Sequence, residues 1–222
     1  MKVLVAEDDA SLREGMSDVL MELAEVRPVD SVDAALKALQ QERFALVLTD
    51  LRLAGKGQGG RSILEAARRK LLPAAIVSAA TPEDLQRALQ PIEPDALLAK
   101  PFQLEDMMAL VERFLGLCGD VERLSKERPP ESGWVEEAAG VQILRVPGGG
   151  SNQGLTWIRL QPGASYSWSH HRGRAGVWVV EGSLEVEGER REAPLYLFLS
   201  SGDLPTVKAA QGCLAVSLAM KG

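Results

Sequence analysis

Through the first half of the chain, short apolar runs alternate with stretches whose apolar positions recur every three or four residues. The runs at residues 2–6, 44–50, 74–78 and 96–99 are short enough for buried parallel strands. A further run, residues 26–29, contains Pro28, which cannot donate to a ladder and is best placed on a sheet edge. An edge position for that second strand fits the order 2-1-3-4-5. Between the runs lie helical patterns. Residues 10–24 set Leu12, Met16, Val19, Leu20 and Leu23 on one stripe, with Asp9 as a cap. A second helix follows Ser31 with Val32, Leu36 and Leu39 inward, and a third covers about residues 61–71. Thr81-Pro82-Glu83 opens a fourth helix that ends before Pro91, because a capping hydroxyl, a first-turn proline and an acid suit a helix start. The fifth carries Leu104, Met107, Met108, Val111 and Phe114 as its apolar stripe, where core packing is the favoured role of the methionines. Strands and helices in this alternation specify a doubly wound α/β domain over residues 1–117.

Residues 118–133 are polar and close on Pro129-Pro130, a linker whose first part could extend the fifth helix. From Trp134 the pattern changes to short β runs punctuated by Gly and Pro, at 141–146, 155–160, 177–180, 184–186, 195–199 and 214–218. These predict an all-β sandwich or barrel over residues 134–222.

Composition sharpens that division. All four Trp lie after residue 133, while residues 1–128 hold 17 Lys+Arg against 22 Asp+Glu, and residues 129–222 hold 8 against 9. Neither half offers a basic footprint, so direct DNA binding is not expected. The first residues meet acid at Glu7, too early for a signal peptide, and no apolar segment approaches a membrane span. Cys118 and Cys213 lie in different halves without metal-like spacing. A reduced, cytoplasmic protein is the expectation.

Chemistry gathers at the ends of the apolar runs. Residues 3–6 give way to Glu7-Asp8-Asp9, residues 44–49 to Asp50, residues 74–77 to Ser78, and residues 96–99 to Lys100. Open α/β sheets place their sites at the carboxyl ends of their strands, so neighbouring parallel strands would collect these groups in one crevice. A carboxylate can attack a phosphoryl group if its own charge and that of the phosphoryl oxygens are neutralised. Magnesium does this with hard oxygen ligands. Glu7 and Asp8 would hold the ion, with Asp50 and the main-chain carbonyl of Arg52 completing the protein ligands. Lys100 can pair first with the acids and then with the phosphoryl group, and Ser78 can donate a hydrogen bond to a phosphoryl oxygen.

In these residues, standing as Val5-Ala6-Glu7-Asp8-Asp9, Leu48-Thr49-Asp50, Ile76-Val77-Ser78-Ala79 and Lys100-Pro101-Phe102, the chain resembles the receiver domain of bacterial two-component response regulators. The resemblance covers residues 1 to about 117. It implies a flavodoxin-like fold, Asp50 as phospho-acceptor, magnesium as cofactor and a histidine kinase as phosphoryl donor. Two positions depart from the family. Ala54 stands where proline is usual, in a glycine-rich loop to Gly60 about two residues longer than usual and suited to mobility. Leu97 stands where an aromatic switch residue is usual, which puts the usual readout in doubt. A pseudo-receiver scaffold that is never phosphorylated is the alternative. The complete set Glu7, Asp8, Asp50, Ser78 and Lys100 weighs against it, since clustered like charges cost stability unless a cation is bound.

The second half, from Pro162-Gly163 through His170-His171 to Glu181-Gly182, resembles the first motif of cupins, jelly-roll β-barrels; the second motif would fall at residues 200–205. Trp134, Gly140-Val141 and Gln211-Gly212-Cys213-Leu214 look most like the cupin of some anti-sigma factors. In metal-binding cupins four positions supply ligands. Here they are Ser169, His171, Ala175 and Pro205, and one imidazole does not hold zinc or iron. The barrel is therefore expected to be metal-free. Trp157, Tyr166, Trp168, Trp178, Tyr196 and Phe198 could line a ligand pocket, although core packing is the favoured role; rings facing outward would instead suggest a homodimer. The combined expectation is a response regulator, not itself an enzyme, whose receiver switches a cupin module that binds a protein partner or a small ligand. A cupin enzyme regulated by the receiver is the alternative.

Overall fold

The computed structural model describes residues 1–53, 59–146, 154–168, 173–202 and 204–220. The chain divides into two compact units, Met1–Arg68 with Leu72–Leu115, and Arg69–Leu71 with Gly116–Gly222.

The first unit is built on five parallel strands, β1 (Lys2–Ala6), β2 (Glu25–Val29), β3 (Leu46–Asp50), β4 (Ala74–Ser78) and β5 (Ala96–Ala99). Their order is β2-β1-β3-β4-β5, with Pro28 on the edge strand as its missing donor requires. Helices α1 (Ala10–Leu20), α2 (Val32–Gln41), α3 (Gly59–Arg69) and α4 (Pro82–Leu89) connect the strands, and α5 (Leu104–Leu124) follows β5. One core joins Leu4, Val47 and Ile76 to Ala35 and Leu39 of α2, Ile63 and Leu64 of α3, and Leu85 and Leu89 of α4. The alternate strand residues Val3, Val5, Leu46 and Leu48 are just as buried. Strand alternation turns these toward the opposite face, leaving it to Met16 and Leu20 of α1 and Met107, Val111 and Phe114 of α5.

Several boundaries differ from the periodicity. Helix α1 stops at Leu20, because Glu22 donates to the carbonyl of Val19 and Leu23 to that of Leu20, a three-residue closure that tightens the last turn. Glu25 then bonds the carbonyl of Met1 and begins β2. Leu104, the first residue of α5, is half exposed and lies outside that helix's buried stripe. Helix α3 begins at Gly59 and ends at Arg69, two residues earlier at each end than expected.

The second unit is a curled antiparallel sheet of β6 (Val135–Ala138), β7 (Val141–Val146), β8 (Leu155–Leu160), β9 (Ser165–Tyr166), β10 (Ala175–Val186), β11 (Glu189–Glu192), β12 (Leu195–Leu199), β13 (Val207–Lys208) and β14 (Cys213–Ala219). Strand β10 merges the two runs expected at 177–180 and 184–186. Residues 175–179 lie between β12 and β14, and the end of the strand pairs with β11 and β13. The change of neighbours falls where the register shifts between Val179 and Glu181 and Gly182 adopts φ +83°. A Cβ at Gly182 would run into the Gly212 carbonyl, so the crossing requires glycine.

Trp157, Tyr166, Trp168 and Phe198 are buried, whereas Trp178 and Tyr196 are half-buried. Tyr166 and Trp168 sit in the core cluster with their ring centroids 4.9 Å apart. Among the described residues, no helix is long and apolar enough to cross a membrane.

Candidate functional site

The carboxyl edge of the parallel sheet gathers the groups that end its strands. Asp50 is the last residue of β3, Ser78 the last of β4, and Glu7 and Lys100 each follow the last residue of β1 and β5. Backbone pairing fixes their heights: Glu7 N–H donates to the Val29 carbonyl at 3.1 Å and Lys100 N–H to the Ser78 carbonyl at 2.8 Å.

Lys100 Nζ bridges two carboxylates, lying 2.7 Å from Glu7 Oε2 and 2.6 Å from Asp50 Oδ2. Arg52 N–H donates to the other Asp50 oxygen, Oδ1, at 3.0 Å, which places residue 52 beside the Asp50 carboxylate. Ser78 is buried, and its Oγ accepts from Ala80 N–H at 3.1 Å. Ala54, with the rest of residues 54–58, lies outside the described residues, as do Ser169, His170 and His171 of the proposed cupin motif and Asp203. Of the other two cupin ligand positions, Ala175 opens β10 as a buried core residue and Pro205 is half-buried.

Carboxylate oxygens of Glu7, Asp8 and Asp50 lie within 4.8 Å of one another. Three carboxylates against one ammonium leave two negative charges, and a small divalent cation with oxygen preference matches both that charge and the donor set. Glu7 has almost no exposure, Asp50 is half-buried and Asp8 faces solvent, so an ion could be gripped from below while keeping water on its outer side. Burial raises the pKa of Glu7, outweighing the opposing pull of Lys100. Burial acts to lower the pKa of Lys100, but its hydrogen bonds to Asp50 and Glu7 prevail and raise it.

Two features were not visible in the sequence. Arg13, on the first turn of α1, donates from Nη1 to the carbonyls of Glu7 at 2.7 Å and Asp8 at 3.2 Å. Gly60, at the start of α3, packs on the backbone of Asp50 and Leu51: a Cβ there would collide with the Asp50 carbonyl and come within 2.7 Å of Leu51 Cα. Leu97 is 51% exposed and, with Leu85, Leu89, Ile92 and Pro94, lines a cavity of about 340 Å³.

A doubly wound domain with an acidic, lysine-bridged carboxyl edge is the class that fold and site define. Residues 3–112 match the response regulator receiver domain family, and this part of the chain is a receiver domain. The response regulator protein FleR of Pseudomonas aeruginosa is similar, 37% identical over 117 residues that make up 50% of this chain and 24% of FleR. The chain thus spans about a quarter of the length of that relative. Among solved structures, the receiver domain of a sensor histidine kinase from Pseudomonas aeruginosa, crystallised with magnesium coordinated in its active-site cleft, is 21% identical. That match covers 52% of this chain and 97% of the other, with a TM-score of 0.47. The chemotaxis response regulator CheY4 of Vibrio cholerae is 24% identical over 51% of this chain and 97% of the other, with a TM-score of 0.46.

Proposed function

We propose that the protein is a phosphorylation-switched response regulator with Asp50 as its acceptor. The single observation that carries this reading is the junction of Glu7, Asp8, Asp50 and Lys100 at one sheet edge, with the carboxylates close enough to share an ion. Glu7, Asp8, Asp50 and the Arg52 carbonyl would hold Mg²⁺, which would supply neutralisation of charge on the phosphoryl oxygens. An Asp50 carboxylate oxygen attacks phosphorus as the bond to the imidazole nitrogen of a phosphohistidine on a kinase breaks, giving an aspartyl phosphate and a free histidine. Lys100 leaves its Asp50 contact for the phosphoryl oxygens, and the Ser78 hydroxyl turns to donate to one of them.

The output module, residues 134–222 after a linker at 118–133 and a receiver at 1–117, is a metal-free cupin that works by binding a protein partner or small ligand in the cytoplasm, not by catalysis. A long strand shared between two sets of neighbours, as β10 is, supports a jelly-roll reading. Phosphorylation changes association, homodimerisation included, and leaves DNA affinity unaffected.

Incubation with acetyl phosphate and Mg²⁺, borohydride trapping and peptide mapping test the acceptor: the label falls on Asp50, and a label elsewhere contradicts the reading. Elemental analysis of the same chelator-free preparation tests the module. Near-stoichiometric zinc, iron, nickel or manganese that His171→Ala removes would refute a metal-free barrel.

A further inference from the structure

We infer that Arg13 is a positioning residue for the metal-binding carboxylates, an inference that rests on the function proposed above. The chain leaves β1 at Ala6, and Glu7 makes a last sheet-edge bond through its N–H to Val29. At Asp9 it is caught again, because the Asp9 carboxylate caps α1 by accepting from Leu12 N–H at 2.8 Å. Between those anchors stand Glu7 and Asp8, two of the carboxylates proposed to hold the ion.

Arg13 grips this segment from the helix side. Its Nη1 takes the carbonyls of Glu7 and Asp8 together, while its own N–H donates to the Asp9 carbonyl at 2.9 Å. Its own carbonyl accepts from Ser17 Oγ at 2.6 Å, a further tie within α1. Fixing two successive carbonyls fixes the ψ angles of Glu7 and Asp8, and with them the direction in which each Cβ leaves the backbone. Magnesium demands near-ideal octahedral geometry, so a few tenths of an ångström in that direction changes affinity. The guanidinium is suited to the task because it is permanently charged and presents several donors in a rigid plane; an ammonium at the end of a flexible stem is less pre-organised.

The test separates metal affinity from labelling in the whole 222-residue chain. Mg²⁺ binding is measured by calorimetry, and Mn²⁺ binding by the paramagnetic resonance of the free ion, for wild type, Arg13→Ala, Arg13→Lys and the exposed neighbour control Glu14→Ala. Loss of a group that orients metal ligands weakens affinity about 10-fold or more. Arg13→Ala is expected to show that loss for both ions, Arg13→Lys an intermediate one, and Glu14→Ala none. Labelling by acetyl phosphate at saturating Mg²⁺ stays near wild type, with only the half-saturating Mg²⁺ concentration moved. Wild-type Mg²⁺ affinity in Arg13→Ala overturns the inference alone. So does a loss of labelling at saturating Mg²⁺ that Arg13→Lys shares in full, since that is the mark of a purely structural role. A wild type that binds no Mg²⁺ removes the metal reading and this inference with it.

Discussion

The two units dispose of their polar groups in opposite ways. In the parallel sheet, Glu7, Asp50, Ser78 and Lys100 stand at the carboxyl ends of four different strands and meet at one edge. In the antiparallel sheet, Ala175, Val177, Val179, Leu184 and Val186 of β10 are buried in an apolar cluster, and the charged residues of β11 are mostly exposed. Crossover connections make every strand of a parallel sheet point the same way, so strand ends accumulate on one side. Antiparallel neighbours send successive ends to opposite sides. A reacting centre is thus readily assembled in the first unit, whereas the described strands of the second gather apolar side chains into a core cluster.

Core truncation draws this contrast most strongly. Trp157 of β8 is buried. Trp157→Ala should cost about 3–5 kcal/mol of stability, the usual range for deleting a large buried ring. All four Trp lie in the second half, so intrinsic fluorescence follows that half alone. Calorimetry beside fluorescence should show the second unit destabilised while Mg²⁺ affinity stays at the wild-type value. An equal fall in metal affinity would break the division of labour.

A smaller effect is expected at Gly60. Gly60→Ala must push the helix away from the Asp50 and Leu51 backbone, and such overpacking costs roughly 1–3 kcal/mol. Because the displaced atoms belong to Asp50, the proposed acceptor, slower labelling of Asp50 should accompany the loss. Normal labelling kinetics by intact mass would show that the contact is only structural.

The smallest effect is a matter of sign. Burial raises the pKa of Glu7, so the folded chain holds that proton more tightly than the unfolded chain does. Its contribution to stability is complete below the ordinary carboxylate pKa of 4.5 and is lost as pH rises through the raised folded value. Glu7→Gln lacks that decline. In chelator the variant should melt slightly above wild type at neutral pH and match it in acid. In Mg²⁺ the order should reverse, because Glu7 is proposed as a ligand and binding would then stabilise wild type more than the variant. Melting curves across about pH 4 to 8 check both statements.

Much of the first unit was legible because its signals are local. Each parallel strand is a short apolar run that ends in a polar group, and Pro28 alone pointed to an edge. The meeting of Lys100 with Glu7 and Asp50 followed once those ends were aligned. Other features depend on partners that side-chain patterns do not display. Strand β11 is Glu-Arg-Arg-Glu, with no apolar residue, and is a strand because Ser183–Val186 pairs with it. Strands β9 and β13 hold two residues each, too few for any alternation to show. Arg13 acts on backbone carbonyls, so nothing in its spacing from Glu7 announces the contact. The apolar pattern divides β10 into two runs because Glu181-Gly182 interrupts it where the strand changes neighbours without ending.

Intact-mass kinetics decide whether Asp50 is the magnesium-dependent phospho-acceptor proposed above. Wild type and Asp50→Asn are incubated with acetyl phosphate, each in Mg²⁺ and in chelator. One phosphoryl group per chain is expected in wild type with Mg²⁺, and none in chelator or in the variant. Labelling of Asp50→Asn at the wild-type rate, or labelling of wild type that ignores the chelator, would contradict it.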